Sequence, residues 1–397
     1  PHFVLSPPPP WDPPLLIHLT ATPRCNMRCR GCINSAITRR EGGGEDIAGE
    51  MDPERDSTAV AELIRMEKGA KEAVLCLYGG EPLLVPKKVA EVMALVAKKA
   101  APVKTDFMLY TNGTLLKKAL REAPELADLI WLYSVSIDGR ERQHDSVRCG
   151  GSLKTIRANL AELKKRRRGE VLMWSTLREE QSLLDCWQEF KTLREEGLAD
   201  HFFWHWVESD EPFKDLPAYA ENYETDLTAI MEEYTAALER GELLSVVHLS
   251  ELLLYWLTGR ERGSSACGVE LSRNYDIIAG QIRACADLPA SYAFGKVGED
   301  GSVSLAKTDL TSLVAYKGDL GCPRCGVHGY CGGRCPVQAL EGNPLRLRQY
   351  CQLMRLHVGV FGRYAPRLAT ALEKNSISLE ELYRRSARLT LFTDVTP

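Results

Sequence analysis

Six short apolar, β-prone runs alternate with stretches of helical periodicity through the first half of this 397-residue chain, and that order of elements constrains its fold more than any other feature. The β-prone runs are 15–21, 73–78, 106–110, 130–137, 171–176 and 201–207. Between them, apolar residues three and four apart predict helices over 59–66, 85–98, 115–126, 153–163 and 182–198. Strands that alternate with helices in this way pair in parallel through right-handed crossovers. An open doubly wound sheet and a partial barrel both satisfy the pattern. In either, the loops at the C-terminal ends of the strands carry the chemistry.

The texture changes after the sixth run. Residues 216–257 read as helices without strands, 267–351 as short strands, glycine turns and cysteines, and 353–389 as helix again. We expect a proline-rich N-terminal segment (1–14), an α/β unit (15–215), a helical bridge (216–265), a cysteine-rich domain (266–355) and a C-terminal helical cap (356–397). A long loop over 33–51, holding Gly42-Gly43-Gly44, interrupts the alternation after the first strand. Loops of that length are usually functional.

Composition removes several classes of function. Hydrophobic residues make up 44% and charged residues 26%, as in ordinary soluble proteins. A net charge of −4 points to neither nucleic acid nor an anionic membrane as partner. The basic run from Lys164 to Arg168 is short and reads as a solvated helix end. No apolar run of about 18 residues predicts a membrane span, and the N-terminal residues lack the pattern of a signal peptide. The expectation is a cytoplasmic protein. In a reducing compartment, the thirteen cysteines need a role other than disulfides. Ten fall into two groups with ligand-like spacing, while Cys76, Cys149 and Cys186 stand alone and read as packing residues.

The first group, Cys25-Asn26-Met27-Arg28-Cys29-Arg30-Gly31-Cys32, has the spacing C-x3-C-x2-C and directly follows the first strand. Three thiolates on one tight loop can bind three irons of a 4Fe–4S cluster and leave the fourth open. On spacing alone, a zinc knuckle with a distant fourth ligand is the alternative.

This loop resembles the cluster-binding motif of the radical S-adenosylmethionine (SAM) superfamily. In that family the open iron chelates SAM, and an electron from the cluster cleaves SAM to methionine and a 5′-deoxyadenosyl radical that abstracts hydrogen from substrate. The family usually has an aromatic residue before the third cysteine, where this chain has Gly31. Three later motifs are similar to the family's, in the same order. Tyr78-Gly79-Gly80-Glu81-Pro82 ends the second strand and resembles the motif for the SAM amino group, implying contacts from Gly79, Gly80 and Glu81. Thr111-Asn112-Gly113 ends the third, with Asn112 as a further contact. Ser136-Ile137-Asp138-Gly139 ends the fourth and is followed by His144-Asp145 and Arg148. By resemblance, Ser136 and Arg148 hold the SAM carboxylate, which a guanidinium fork suits. The likeness covers about 15–208 and implies a partial (β/α)6 TIM-type barrel.

The second group is Cys267, Cys285, Cys322, Cys325, Cys331, Cys335 and Cys351, with Gly280 placed to turn a hairpin between 275–278 and 281–285. Spacing alone also allows two zinc sites. The pattern C-x12-G-x4-C, C-x2-C-x5-C-x3-C and a final C resembles the SPASM domain, a C-terminal extension of many radical SAM enzymes. That resemblance implies two auxiliary 4Fe–4S clusters, three clusters in all. Cys322, Cys325, Cys331 and Cys351 would ligate the outer cluster, and Cys267, Cys285 and Cys335 the inner one. Some relatives have a further cysteine just before the first, but none occurs here between Cys186 and Cys267. The inner cluster is therefore expected to have an open iron or a non-cysteine ligand.

Candidate catalytic side chains are few. The sixth run, His201-Phe202-Phe203-Trp204-His205-Trp206-Val207-Glu208, places His201, Phe203, His205 and Val207 on one face by alternation. His201 and His205, with His18 on the first run, are candidates, against the plainer reading of core packing. Relatives that mature sulfatases carry an aspartate directly after the cysteine matching Cys285. Here Ala286 stands there and Asp287 one later, which turns the carboxylate to the other face and speaks against that reaction, while Asp287 itself joins the histidines as a catalytic candidate. Most relatives of this double architecture modify peptides or proteins by thioether or carbon–carbon crosslinks, epimerisation or oxidation. The resemblance thus implies a peptide or protein substrate, a flavodoxin- or ferredoxin-type electron donor, and recognition of a precursor by a separate protein or by the core itself, the 33–51 loop being a candidate. A small molecule or tetrapyrrole, as in haem-biosynthesis relatives, is the alternative substrate. A non-catalytic iron–sulfur carrier is the alternative class.

Overall fold

All eight residues of β1 (Leu15–Thr22) are buried, as befits a strand covered on both faces. The computed structural model describes residues 14–34, 49–271 and 274–393. In it β1 lies in the middle of a ten-stranded sheet ordered β10-β9-β8-β7-β1-β2-β3-β4-β5-β6. β2 (Glu72–Gly79), β3 (Lys104–Thr111), β4 (Ile130–Ser136), β5 (Glu170–Leu177) and β6 (His201–Trp206) follow in chain order, each parallel to its neighbour. Helices α1 (Pro53–Met66), α2 (Pro86–Lys99), α3 (Leu116–Glu122), α4 (Leu153–Lys164) and α5 (Leu183–Glu195) make the crossovers. The first begins earlier than periodicity predicts, because Asp52 caps it and Pro53 opens it. The sheet does not close into a complete barrel. Instead, the outer edge of β6 meets the chain at Ser245 and Val246 through one hydrogen bond and an isolated bridge at Phe202.

The cysteine-rich region does not form a sheet of its own. β7 (Asn274–Ile278) adds in parallel to the free edge of β1, and β8 (Gln281–Arg283) returns antiparallel. Ala279 and Gly280 between them both have positive φ, 49° and 74°, the requirement of a tight type I′ turn. β9 (Gly295–Val297) and β10 (Val303–Leu305) extend the same sheet.

Alternate strand residues divide the core. Leu15, Ile17 and Leu19 face the crossover helices, packing with residues such as Leu63, Val92 and Ile156. Leu16, Val74, Cys76, Met108, Leu132, Leu172 and Phe203 face the concave interior. The C-terminal turn Ala387–Phe392 closes that interior, as Leu389 and Phe392 join the cluster and Tyr110 donates to the Phe392 carbonyl at 2.9 Å. The bridge 216–257 is helical as expected, with α6 (Leu216–Glu239) and α7 (Val247–Thr258). The last long helix, α8 (Pro344–Lys374), starts before the expected residue 353, so Cys351 rides on it. Of the lone cysteines, Cys76 and Cys186 are buried but Cys149 is exposed, a correction to its reading as a packing residue. The proline-rich residues 1–13 and the triglycine segment within 35–48 lie outside the described residues.

Four histidines among the described residues are buried in neutral form, His248 being held well below its ordinary pKa by burial. Burial pushes the pKa of His144 down to about 4 and those of His205 and His357 down to about 3. An unfolded histidine binds its proton near pH 6.5, so the unfolded chain takes up protons first as pH falls. Stability is therefore complete above that value and drains away below it. At pH 5.5 each such group is expected to cost about 1.4 kcal/mol. Anaerobic urea melts at pH 7.5 and 5.5 should show the loss, and His357→Gln should remove one histidine's share of it. Equal midpoints for the wild type at both pH values would contradict this.

Candidate active site

The loop after β1 is tied down from two sides. Arg28 N–H donates to the Cys149 carbonyl at 2.8 Å and Arg30 N–H to that of Val147 at 3.0 Å. The end of β2 holds the other side, where Gly80 N–H donates to Thr22 O and Glu81 N–H to Arg24 O, both at 2.8 Å. Glycine is required in this turn, since a Cβ on Gly80 would lie 2.2 Å from the Arg24 carbonyl oxygen. Cys25 is exposed and Cys29 and Cys32 are half-buried, and the three thiols are close enough to influence one another electrostatically. Met27 N–H points at Cys25 Sγ (3.4 Å) and Asn112 Nδ2 approaches the same sulfur at 4.0 Å. Gly31 has φ of +63° and a Cβ there would sit 2.9 Å from Val207 Cγ2, so the end of β6 occupies the room next to this position.

The Glu81 carboxylate is turned inward. It accepts from Leu83 N–H (3.0 Å), Thr111 Oγ1 (2.8 Å) and Asn112 N–H (2.8 Å), and burial raises its pKa to about 7. It thus joins the ends of β2 and β3, and what this turn offers a ligand is backbone. Asn112 bonds Asn26 of the cysteine loop at 2.9 Å.

Beyond β4 lies a charged network that the sequence motifs did not announce. Asp138, fully buried, takes a bidentate fork from Arg148 at 2.6 and 3.0 Å and a third bond from Arg178 at 3.0 Å. Burial opposes ionisation of Asp138, but the two guanidinium groups overrule it and hold the carboxyl well below the usual carboxylate range. Arg148 Nη1 then lies 3.9 Å from Cys29 Sγ, and Arg178 Nε donates to the Arg30 carbonyl at 2.7 Å. The middle of the cysteine loop, at Cys29 and Arg30, therefore rests on one buried carboxylate. Ser136, at the end of β4, is half-buried beside it.

Below these strand ends, rings line the concave face. His18 meets Tyr78 edge-on at 5.7 Å and Tyr110 at 6.3 Å, Tyr110 meets Trp174 at 5.5 Å, and Trp174 meets His205 at 5.7 Å. His205 Nε2 lies 2.9 Å from Thr176 Oγ1, which reaches the Arg148 fork at 3.4 Å. His18 Nδ1 is 3.3 Å from Asp276 Oδ1 on β7, and Asp276 Oδ2 accepts from Ala286 N–H at 3.1 Å. Asp276 is the carboxylate that sequence reasoning missed; an acidic residue between the apolar Tyr275 and Ile277 was its signal. Asp287 lies near Cys285, whose thiol burial pushes up, aided by the Asp287 and Asp276 carboxylates. His201 is not brought to this region. It sits at the opposite end of β6, with Nδ1 2.7 Å from Ser245 Oγ and Nε2 3.2 Å from Glu170.

The second cysteine group lies in two sets. Cys322, Cys325, Cys331 and Cys351 line one recess of about 270 Å³ with Arg334 and Met354. Cys267, Cys285 and Cys335 form the other group, each felt by the next. Among the described residues no three His, Cys, Asp or Glu side chains are drawn around a single-ion centre. A solvent-open cleft of about 1100 Å³ reaches Cys267 from the side of α7, lined also by Tyr255, Arg260, Arg262 and Asn274.

Residues 19–177 match the model of the Radical SAM superfamily. The chain carries a radical SAM domain. Among solved structures, native anSMEcpe with bound AdoMet is similar over 90% of this chain and 99% of its own, with a TM-score of 0.68 and 19% identity. Native anSMEcpe with bound AdoMet and Cp18Cys peptide is similar over 91% and 100%, at 0.65 and 19%. The form with the Kp18Cys peptide gives 90% and 99%, at 0.67 and 18%. At these identities the likeness is one of fold. No curated protein sequence matches. A radical SAM domain implies a 4Fe–4S cluster and SAM. The residues at the strand ends fit both: a clustered set of soft thiols, a glycine turn with no room for side chains, and a guanidinium beside the central cysteine.

Proposed function

We propose that this protein is a radical SAM enzyme that modifies a peptide or protein. The observation that carries the reading is the single loop of Cys25, Cys29 and Cys32, braced from below by the Asp138–Arg148–Arg178 network and facing a ring-lined interior. Cys25, Cys29 and Cys32 hold the cluster. The backbone of Gly79 and Gly80, with Asn112, Ser136 and the Arg148 edge that faces Cys29, holds SAM, and Glu81 shapes that site from within. When loaded, the cluster supplies the electron that cleaves SAM, whose 5′-deoxyadenosyl fragment takes hydrogen from the substrate.

Two auxiliary clusters complete the cofactor set, the outer on Cys322, Cys325, Cys331 and Cys351 and the inner on Cys267, Cys285 and Cys335. The four-thiol recess and the three-thiol group support that division. The His18–Asp276 pair, buried on the wall between the cysteine loop and the inner group, is placed to take up a proton released by substrate. A peptide substrate is supported by the peptides bound in the similar structures of anSMEcpe. A flavodoxin- or ferredoxin-type donor supplies electrons, and a separate protein or the core selects the peptide.

Anaerobic reconstitution with deuterated candidate peptides tests this. Deuterium should pass into 5′-deoxyadenosine, and Asp276→Asn should keep SAM cleavage while forming product at least about ten-fold more slowly. Transfer from a small molecule or tetrapyrrole, with none from any peptide, would replace the reading.

A further inference from the structure

Glu208, just beyond the end of β6, is buried in an unusual way. Its side chain is 15% exposed, and neither carboxylate oxygen has a hydrogen-bond partner among the described residues. The nearest cation, Arg334 Nη2, stands 3.8 Å from Oε1, outside hydrogen-bond range. A carboxylate taken out of water in this way is costly unless it is paired closely or coordinates a metal. Its position is fixed on both sides. The Val207 carbonyl accepts from Tyr350 Oη, and the Ser209 carbonyl accepts from Gln338 Nε2 at 3.1 Å. Those partners flank the cysteine ligands, Tyr350 beside Cys351 and Gln338 three residues after Cys335. Arg334, adjacent to Cys335, has a φ of 70° that few side chains other than glycine adopt, and lies over the rings of Trp206 and Tyr350. That turn sets the Arg334 side chain beside Glu208.

The three thiols Cys267, Cys285 and Cys335 lack a fourth cysteine. Burial pushes the Cys335 thiol up, and of the neighbouring charges the Glu208 carboxylate adds most to this. The other oxygen donors of the neighbourhood have partners. Asp276 pairs with His18 and Ala286, Ser265 Oγ donates to Glu270 at 2.5 Å, and Asp287 is engaged as well.

From these observations we infer that Glu208 is the fourth protein ligand of the inner auxiliary cluster, binding its iron through the unpartnered carboxylate. The inference rests on the reading of Cys267, Cys285 and Cys335 as cluster ligands. A hard oxygen ligand on a soft cluster forms its most exchangeable corner, and the charge of Arg334 beside it offsets the added negative charge.

The test compares the anaerobically reconstituted full chain with its Glu208→Gln, Glu208→Cys, Asp287→Asn and Cys335→Ala variants. The readouts are iron per chain, Mössbauer and electron paramagnetic resonance spectra, and the midpoint potentials of the clusters. Glu208→Gln is expected to lose about one iron per chain and to show a three-iron signature. Glu208→Cys should restore the four-iron spectrum at a shifted potential, and Asp287→Asn should resemble the wild type. An unchanged spectrum for Glu208→Gln overturns the assignment, as does iron loss that Glu208→Cys fails to restore. So does loss in Asp287→Asn alone. If Cys335→Ala keeps the full iron content and spectrum, the inner cluster itself falls, and the ligand assignment with it.

Discussion

Cys29→Ala is expected to abolish SAM cleavage and to lower the iron content by one cluster, about four irons per chain. Cys29 is the central thiol of its loop, half-buried and faced by Arg148 at 3.9 Å, so its removal takes a ligand and leaves that guanidinium edge without its anion. Iron held by the proposed auxiliary sites should be untouched, because their thiols belong to other elements. Measurement of 5′-deoxyadenosine under dithionite, with iron analysis on the same sample, checks both halves. Residual cleavage near the wild-type rate would mean that the open iron is not where we place it.

The second large effect is on stability. Asp138→Asn keeps the shape of the side chain but removes the charge that Arg148 and Arg178 share. Breaking a buried ionic set by removing one partner costs about 3–5 kcal/mol, since the stranded charges stay buried. The variant should melt many degrees below the wild type and bind SAM weakly, because Arg148 and the Arg30 carbonyl contact both depend on Asp138. Acid should not mimic the substitution in the ordinary range. The native carboxyl is held well below its unfolded value near 3.9, so its contribution is present above that pH and is lost only as pH falls through the native value. Equal melting temperatures for Asp138→Asn and wild type would show that the network stores no stability.

Much of the fold could be read in advance because alternation and periodicity are local. All six parallel strands lie within two residues of the runs read from sequence, and each falls where two faces must be apolar. Helix starts were less legible, because Asp52 and Pro53 act through capping and φ rather than through an apolar stripe. The cysteine groups were legible because ligand spacing is also local. What escaped was pairing at a distance. Nothing in a Gly-Gly-Glu-Pro turn says that the Glu81 carboxylate folds back onto Thr111 and Asn112. Nothing beside Arg178 marks it as the partner of an aspartate forty residues earlier. His201 and His205 share a face and differ only in height along β6, which alternation cannot see.

The hairpin that joins β1 has a mechanical consequence. One strand carries the cysteine loop at its end and is bonded along its flanks to β2 and to β7, whose hairpin leads to Cys285. Neighbouring strands are held about 4.8 Å apart by their ladder. The cysteine loop and the hairpin that leads to Cys285 are thus mounted on a common rail. If both hold clusters, as proposed, that rail sets the span a substrate between them has to fit.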